Sequence, residues 1–225
     1  MSIEDEIFRQ IKAEHDQQIR NAKQRTGSGI LQAELDKTPP RRRETIVIAA
    51  VDANRGFSKD GKIPWHHPED FRWFRTRTEG QICIMGRKTY EDINARQLKP
   101  KVHVVHGNQT TMGRYDDQVL PGRTCFVVSD TLKDIANATV VKSIYDVETH
   151  LPNDDDRPQF IIGGEKLFLE GISMASLVLL TIVNDNFECD KFFPVEYLMK
   201  HFDVMQMFKV NTTNDLRFTV WQRKQ

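Results

Sequence analysis

Continuous apolar runs separated by helical patterns organise most of this chain. The run at 46–51 is rich in β-branched residues and has no polar interruption, which is typical of a strand buried on both faces of a parallel sheet. Similar runs predict strands at 82–85, 126–128, 160–162 and 177–183. Helical patterns between the runs predict helices at 71–77, 88–95, 132–136, 144–150 and 165–171.

The end of the chain departs from this alternation. Residues 202–210 and 216–223 are predicted as two late strands that form an antiparallel edge. Around 96–119 the chain is mostly polar, with one short apolar alternation at 102–105, and we predict a surface insertion there. The whole pattern predicts an α/β fold, a single domain with a central, mainly parallel mixed sheet flanked by helices.

The first part of the chain has a different pattern. An apolar stripe at helical spacing begins at Ile3 and fades after Ile19. Two prolines and three arginines at 39–43 are typical of an extended, solvated linker. We therefore expect an N-terminal helical arm with its linker at 1–44, and the α/β domain at 45–225. Because the stripe needs a surface to bury against, the arm is predicted to mediate self-association or to bind a protein partner.

Composition narrows the functional classes. The 225 residues include 32 basic and 32 acidic side chains, so no net charge steers the protein toward nucleic acid or a membrane surface. The three cysteines are odd in number and widely spaced, and are predicted to be reduced, buried and non-catalytic. No apolar run approaches the length of a membrane span and the N-terminus lacks a signal-peptide pattern, so a cytoplasmic protein is expected. We predict no metal site.

The stretch at 61–74 contains the first candidate site. Pro68 suits the first turn of a helix, where its missing N–H is not needed. Asp70, Phe71 and Phe74 then follow within about one turn, which places a carboxylate beside two phenyl rings. Such a combination is typical of a pocket. The residues alone leave a second interpretation open, in which Asp70 only complements the helix dipole and the rings are core.

Two junctions between a buried strand and a helix form the second candidate site. They lie at 83–89 and 161–166, and each places glycine where the strand ends. In α/β sheets ligands bind at that edge, because helix N–H groups point there and glycine allows close approach. Arg87, Lys88 and Lys166 add cations, so an anionic, phosphate-bearing ligand fits. Neither junction has the spacing of a Walker loop or of GxGxxG, and glycine is also common at ordinary turns.

Taken in order, the motifs resemble the dihydrofolate reductase family. The resemblance covers 45–225 and rests on six short motifs: Ala49-Ala50-Val51, Gly61-Lys62-Ile63-Pro64-Trp65, Asp70-Phe71 with Phe74, Met85-Gly86-Arg87-Lys88-Thr89-Tyr90-Glu91, Leu120-Pro121-Gly122-Arg123 and Ile162-Gly163-Gly164. It implies NADPH-dependent reduction of 7,8-dihydrofolate to 5,6,7,8-tetrahydrofolate, which feeds one-carbon and thymidylate metabolism. The hydride would go to the pterin ring.

The resemblance also assigns roles to residues. Asp70 would anchor the pterin and Trp65, with the loop at 56–61, would exclude solvent. Thr181 would support Asp70 through a hydrogen bond, and Arg123 would pair with the glutamate tail. The implied substrate contacts are Ile48, Ala49, Asp70, Phe71, Phe74, Ile93, Leu120, Arg123, Ile162 and Thr181. The implied cofactor contacts are Ala50, Ile63, Gly86, Arg87, Lys88, Thr89, Ser129, Gly163, Gly164, Glu165 and Lys166. A cis peptide is predicted between Gly163 and Gly164.

Three features depart from the family pattern, and other functions stay open. Asp130 lies where a hydroxyl or a cation would favour the 2′-phosphate of NADPH, which puts the preference over NADH in question. The insertion and the N-terminal arm are the other two departures.

Antifolates are expected to bind. The alternatives are a pyrimidine reductase of riboflavin synthesis with the same fold, and a structural or scaffold protein that retains the fold.

Overall fold

The computed structural model describes residues 43–97, 119–135, 137–209 and 216–225. The predicted helical arm and nearly all of the predicted insertion, with its alternation at 102–105, lie outside the described residues. The chain divides into two units, Met1–Glu44 and Thr45–Gln225, and the fold below is that of the second.

Ten strands and four α-helices make up this unit in the described residues. The strands are β1 (Thr45–Val51), β2 (Gly56–Ser58), β3 (Ile82–Gly86), β4 (Thr124–Val128), β5 (Thr139–Val141), β6 (Gln159–Ile161), β7 (Leu177–Val183), β8 (Lys191–Phe192), β9 (Phe202–Lys209) and β10 (Leu216–Arg223). The helices are α1 (Pro68–Thr78), α2 (Arg87–Gln97), α3 (Glu165–Met174) and α4 (Val195–His201), and a 3-10 helix covers Ile144–His150.

A mixed sheet of eight strands forms the centre of the unit, in the order β5-β4-β3-β6-β1-β7-β10-β9. The strands from β5 to β7 run parallel, and β10 lies antiparallel to both β7 and β9. The apolar runs became the inner strands, whose side chains at Val47, Ile82, Ile84 and Ile161 are fully buried. The predicted fold class, with its antiparallel edge, is confirmed.

Helix α1 begins where the prolines indicated. Pro68 occupies the first turn, His67 is the N-cap, and Glu69 and Asp70 lie in the first turn. The helix buries Asp70 and Thr78. Its N-terminal turn therefore does more than cap a surface helix, because it carries an acid into the interior.

Two of the predicted helices differ from the structure. Residues 144–150 form a 3-10 helix, which Ser143 and Asp146 start with a capping box. The helix predicted at 132–136 is wrong for 132–135, and Ala136 lies outside the described residues. The Ser129 hydroxyl accepts the N–H groups of Thr131 and Leu132, at 3.2 and 3.1 Å, which makes a local turn the better partner for this backbone.

The sequence missed the short elements. Strands β2 and β8 form a separate two-stranded antiparallel sheet, β5 has three residues, and α4 has seven. Segments this short give too few periods for a pattern to stand out. None of the described helices has the length and apolarity to cross a membrane. The three cysteines are free, and Cys83 and Cys125 are buried as predicted, whereas the prediction of burial is wrong for Cys189, which is half-buried.

Candidate active site

Asp70 is the chemically distinctive side chain of the described residues. It is 7% exposed, on the inner side of α1. Burial raises the pKa of its carboxyl above the ordinary range, while the Thr181 hydroxyl, the Trp65 indole and the charge of His67 lower it in part. A carboxylate this deeply placed needs donors that compensate for lost water.

The donors around Asp70 come from distant parts of the chain. Thr181 lies on β7, where its register partner is Ala50 on β1, and Trp65 precedes α1. The Trp65 indole is close enough to lower the Asp70 pKa, yet its buried Nε1 has no hydrogen-bond partner of good geometry. The indole N–H therefore acts on the Asp70 carboxyl without a hydrogen bond of good geometry.

An apolar wall extends from Asp70 along α1. Phe74, Ile93, Leu120 and Ile162 are partly buried and pack against a core cluster that includes Ile48. Phe71 is half-buried on the same helix. Phe74, Ile93, Leu120 and Ile162 thus pack against one apolar cluster, whereas Ala49, another predicted apolar contact, is buried on β1 outside that cluster.

Arg123 closes the far end of this wall. Its Nε donates to Thr78 Oγ1 at 2.9 Å, Nη1 to the Pro121 carbonyl at 2.7 Å and Nη2 to the Arg75 carbonyl at 3.0 Å. A guanidinium has five N–H donors, so the described residues leave one N–H on each terminal nitrogen. Two parallel donors on a fixed fork match a carboxylate.

The two glycine junctions meet at the carboxyl end of the sheet. The Gly86 N–H donates to the Gly163 carbonyl at 2.7 Å, and the Gly163–Gly164 peptide is cis as predicted. A side chain at Gly163 would stand 3.2 Å from Thr89 Oγ1, and one at Gly86 would stand 3.5 Å from the Gly164 nitrogen. Only glycine leaves this backbone open to a close ligand.

Helix N-termini and cations border the junctions. Helices α2 and α3 begin at Arg87 and Glu165, next to the glycines. Arg87 forms an exposed pair with Glu91 at 3.0 Å, and Lys166 lies 3.7 Å from Glu170. Glycine backbone, helix N–H groups and cations together are the donor set that a dinucleotide pyrophosphate requires, so the residues fit NADPH.

The remaining predicted cofactor contacts are more scattered. Ser129 follows β4, which pairs with β3 through Gly86 and Val128, but its hydroxyl already closes the local turn. Asp130 beside it is exposed. Ala50 is half-buried on β1, while Ile63 is 36% exposed. In the described part of the chain no group of three or more His, Cys, Asp or Glu side chains is placed to hold a metal ion.

Sequence reasoning missed Asp52, Phe187 and Trp73. Trp73 stacks on Phe218 with ring centroids 4.6 Å apart, and Arg77 lies over its other face at 4.1 Å. Its place between Arg72 and Phe74 in the helical pattern gave no separate signal. Asp52 directly follows the first apolar run, with a glycine four residues later, a pattern that could have indicated a side-chain-stabilised turn.

The fold and the site define an α/β protein with a buried carboxylate on α1 and two glycine junctions that meet at the carboxyl end of its sheet. A family model described as dihydrofolate reductase matches residues 44–118 and 106–224. The chain belongs to the dihydrofolate reductase family.

Individual relatives agree with this assignment. A dihydrofolate reductase of Bacillus subtilis is 32% identical over 148 residues, which cover 65% of this chain and 73% of the relative. One of Haemophilus influenzae is 30% identical over 181 residues, 79% of this chain and 98% of the relative. The solved structure of the Enterococcus faecalis enzyme, complexed with NADP(H) and RAB-propyl, has a TM-score of 0.62 at 23% identity and covers 81% of this chain and 97% of its own. That likeness shows the shared fold.

Proposed function

We propose that this chain performs the reaction of its family, the NADPH-dependent reduction of 7,8-dihydrofolate to 5,6,7,8-tetrahydrofolate. The observation that carries the proposal is the buried Asp70 carboxylate, which faces away from solvent at the start of an apolar wall. A buried acid whose pKa is raised by burial is a candidate for a group that a ligand or a reaction uses.

Asp70 acts as the anchor of the pterin. Its two oxygens accept two parallel N–H donors, those of the 2-amino group and the neighbouring ring nitrogen. Thr181 holds the carboxylate from β7 and supports its ionised form. The negative charge also favours a protonated, cationic pterin, most strongly when water is excluded.

Trp65 and the loop that precedes it control access of water. The indole is 5% exposed and packs with Val183 and Leu216, so it forms a rigid wall beside Asp70. The free indole N–H is placed to hold a ligand atom or a single water. A water admitted in this way would deliver the proton to the pterin nitrogen.

The glycine junctions hold the cofactor, which supplies the hydride when bound. Gly86 and Gly163 let the dinucleotide lie against the backbone, and the first turns of α2 and α3 offer N–H groups to its phosphates. Arg87 and Lys88 provide positive charge on one side, while Asp130 opposes a 2′-phosphate. We propose NADPH as the preferred cofactor because two cations outweigh one exposed carboxylate.

Arg123 selects the other end of the substrate. Its two outward N–H groups pair with a carboxylate of the glutamate tail. Because three other contacts fix the guanidinium, little side-chain freedom is lost when it binds. Antifolates that present the same donors and a glutamate tail bind the same wall.

The direct test is the oxidation of NADPH with and without dihydrofolate, joined to thermal unfolding with and without methotrexate. We expect folate-dependent loss of reduced nicotinamide and a methotrexate-induced rise in Tm. Neither effect would appear in a scaffold protein that only retains the fold. Turnover of a riboflavin-pathway pyrimidine in place of dihydrofolate would favour the other reductase.

Two further proposals rest on sequence alone. The first is a cytoplasmic location, which fits three widely spaced cysteines, an odd number. The role of the arm in self-association or partner binding follows from its apolar stripe. Light scattering of the full chain and of a chain that begins at Arg43 tests the arm, since an unchanged mass would remove self-association through it.

A further inference from the structure

Asp52 is a buried acid that the reaction above does not use. It directly follows β1 and is 2% exposed. One oxygen, Oδ1, accepts the backbone N–H groups of Asn54 and Gly56 at 2.9 and 2.8 Å. The other, Oδ2, accepts the backbone N–H of Phe187 at 3.2 Å. The two oxygens therefore serve two segments that are far apart in sequence.

We call these segments the lid loop, 52–62, and the clasp loop, 184–193. Backbone bonds also join them: Ala53 N–H to the Asp185 carbonyl and Phe193 N–H to the Arg55 carbonyl, both at 2.9 Å. Gly56 lies against Cys189, where an added Cβ would come within 2.2 Å of the cysteine Cβ. The loops are thus packed together without a gap.

The clasp loop reaches the active site through one aromatic ring. Phe187 lies 5.3 Å from Trp65 between ring centroids, at an angle of 55°. Trp65 is the indole that lies beside Asp70. A chain of direct contacts therefore runs from Asp52 through Phe187 and Trp65 to Asp70.

We propose that Asp52 is a positioning residue for the reduction of dihydrofolate, an inference that rests on the proposed function. Its carboxylate fixes the lid loop to the clasp loop and holds Phe187 against Trp65, so that the indole stays beside the Asp70 carboxylate.

The need for a carboxylate supports this role. A turn closed by one oxygen requires only Asn or Ser, and either would be less costly to bury than a charge. The Phe187 N–H donates to the second oxygen, and the Cys189 side chain of the clasp loop also lies within hydrogen-bonding reach of the Asp52 carboxyl. An exposed pair, Lys59 with Glu188 at 2.9 Å, also joins the loops, but exposed pairs contribute little. The buried carboxylate is the stronger of these two polar links.

The experiment compares Asp52→Asn with Asp154→Asn, an exposed acid that lies outside both loops. The amide of Asp52→Asn keeps one oxygen to accept the turn N–H groups, but it presents its own N–H to the Phe187 N–H. We expect kcat for dihydrofolate to fall about tenfold in Asp52→Asn, the effect of one lost buried hydrogen bond to a charge, and to stay unchanged in Asp154→Asn. If Asp52→Asn does not fold, Asp52→Ser, which is too short to reach Phe187, replaces it.

A double-mutant cycle with Phe187→Leu separates positioning from general support. If Asp52 acts through Phe187, the double variant is about as slow as Phe187→Leu alone. Multiplied effects of the two substitutions would overturn the proposal, because they would show independent routes to the site.

A measurement that does not depend on enzyme activity tests the positioning role separately from the proposed reaction. In the NMR spectrum of the unliganded protein, Asp52→Asn should move the Trp65 indole resonance and speed amide exchange at Phe187. Unchanged signals at both positions would overturn the positioning role even in an active enzyme. If the parent chain fails to oxidise NADPH with dihydrofolate, the proposed function falls, whatever these signals show.

Discussion

The proposed pterin side and the proposed cofactor side of this site are built by opposite means. On the proposed pterin side the binding groups are side chains, and Asp70, Thr181 and Trp65 come from a helix, a strand and a loop. On the proposed cofactor side the binding groups are backbone atoms, and each junction is one contiguous stretch around Gly86 or Gly163. Ligand binding on the pterin side should therefore be lost when side-chain atoms are removed. Ligand binding on the cofactor side should be lost when side-chain atoms are added to the glycines.

Removal of the Asp70 charge is the strongest way to break the pterin side. Asp70→Asn keeps the shape but loses an acceptor and the charge that favours a protonated pterin. We expect kcat to fall by about 10²-fold or more, while the Kd for NADPH, measured by fluorescence titration, changes less than about twofold.

Glu69→Gln is the matched control for that prediction. It removes the same charge one residue earlier, where the side chain is only half-buried. Its kcat should stay near that of the parent chain. Equal losses of turnover and of NADPH affinity in Asp70→Asn would mean that the substitution damages the fold.

Arg123→Gln tests the far end of the pterin wall. Loss of a charge-assisted, bidentate contact should raise the KM for dihydrofolate by about 10- to 100-fold. A pterin substrate without the glutamate tail should show no such difference between the two proteins. A similar loss for both substrates would assign Arg123 to the support of α1 through Thr78 and Arg75.

Added atoms should break the cofactor side. Gly163→Ala places a methyl group 3.2 Å from Thr89 Oγ1 at a φ of 128°, which disfavours any side chain. We expect NADPH affinity to fall about tenfold, the equivalent of one misplaced contact. Gly80→Ala is the control, because its φ is 76° with no atom within 4 Å of the added Cβ. It should lower stability without changing NADPH affinity.

The smallest expected effect concerns Asp130. Asp130→Ser removes one exposed negative charge near the proposed 2′-phosphate site, so the ratio of kcat/KM for NADPH over NADH should rise about threefold at low salt and less at high salt. The same substitution at Asp134, which is also exposed, should leave the ratio unchanged. An unchanged ratio in Asp130→Ser would place the 2′-phosphate elsewhere.

The same contrast explains what the sequence could predict. Each glycine junction is local, so the pattern of apolar strand, glycine and cation was visible directly, and the structure joins the two through Gly86 and Gly163. Burial of Asp70 is not local, because it depends on where β7 and the Trp65 loop pack. From the residues of this segment alone a helix-dipole role was the better fit, and the resemblance to a family reversed that preference.

The wrong helix prediction and the overlooked Asp52 also result from contacts that are not visible in the local sequence. The stretch at 132–135 had the composition of a helix, but the Ser129 hydroxyl competes for its N–H groups. Asp52 was overlooked because its partner, Phe187, is 135 residues away in sequence. Contacts between distant segments decide both outcomes, and periodicity carries no information about them.

We propose that the buried Asp70 carboxyl serves ligand binding and that its burial lowers the stability of the fold at neutral pH. Burial raises the pKa of Asp70, so the native state binds this proton more tightly than the unfolded chain does. Stability from this group is therefore present in acid and is lost as pH rises through the raised pKa.

The most direct test is the free energy of unfolding of the parent chain and of Asp70→Asn, measured by denaturant titration from about pH 4 to about pH 7. The account predicts that the variant is the more stable protein at neutral pH, and that its advantage shrinks as the pH falls toward the ordinary carboxyl pKa. A variant that is less stable than the parent at neutral pH would contradict it, because Asp70 would then support the fold.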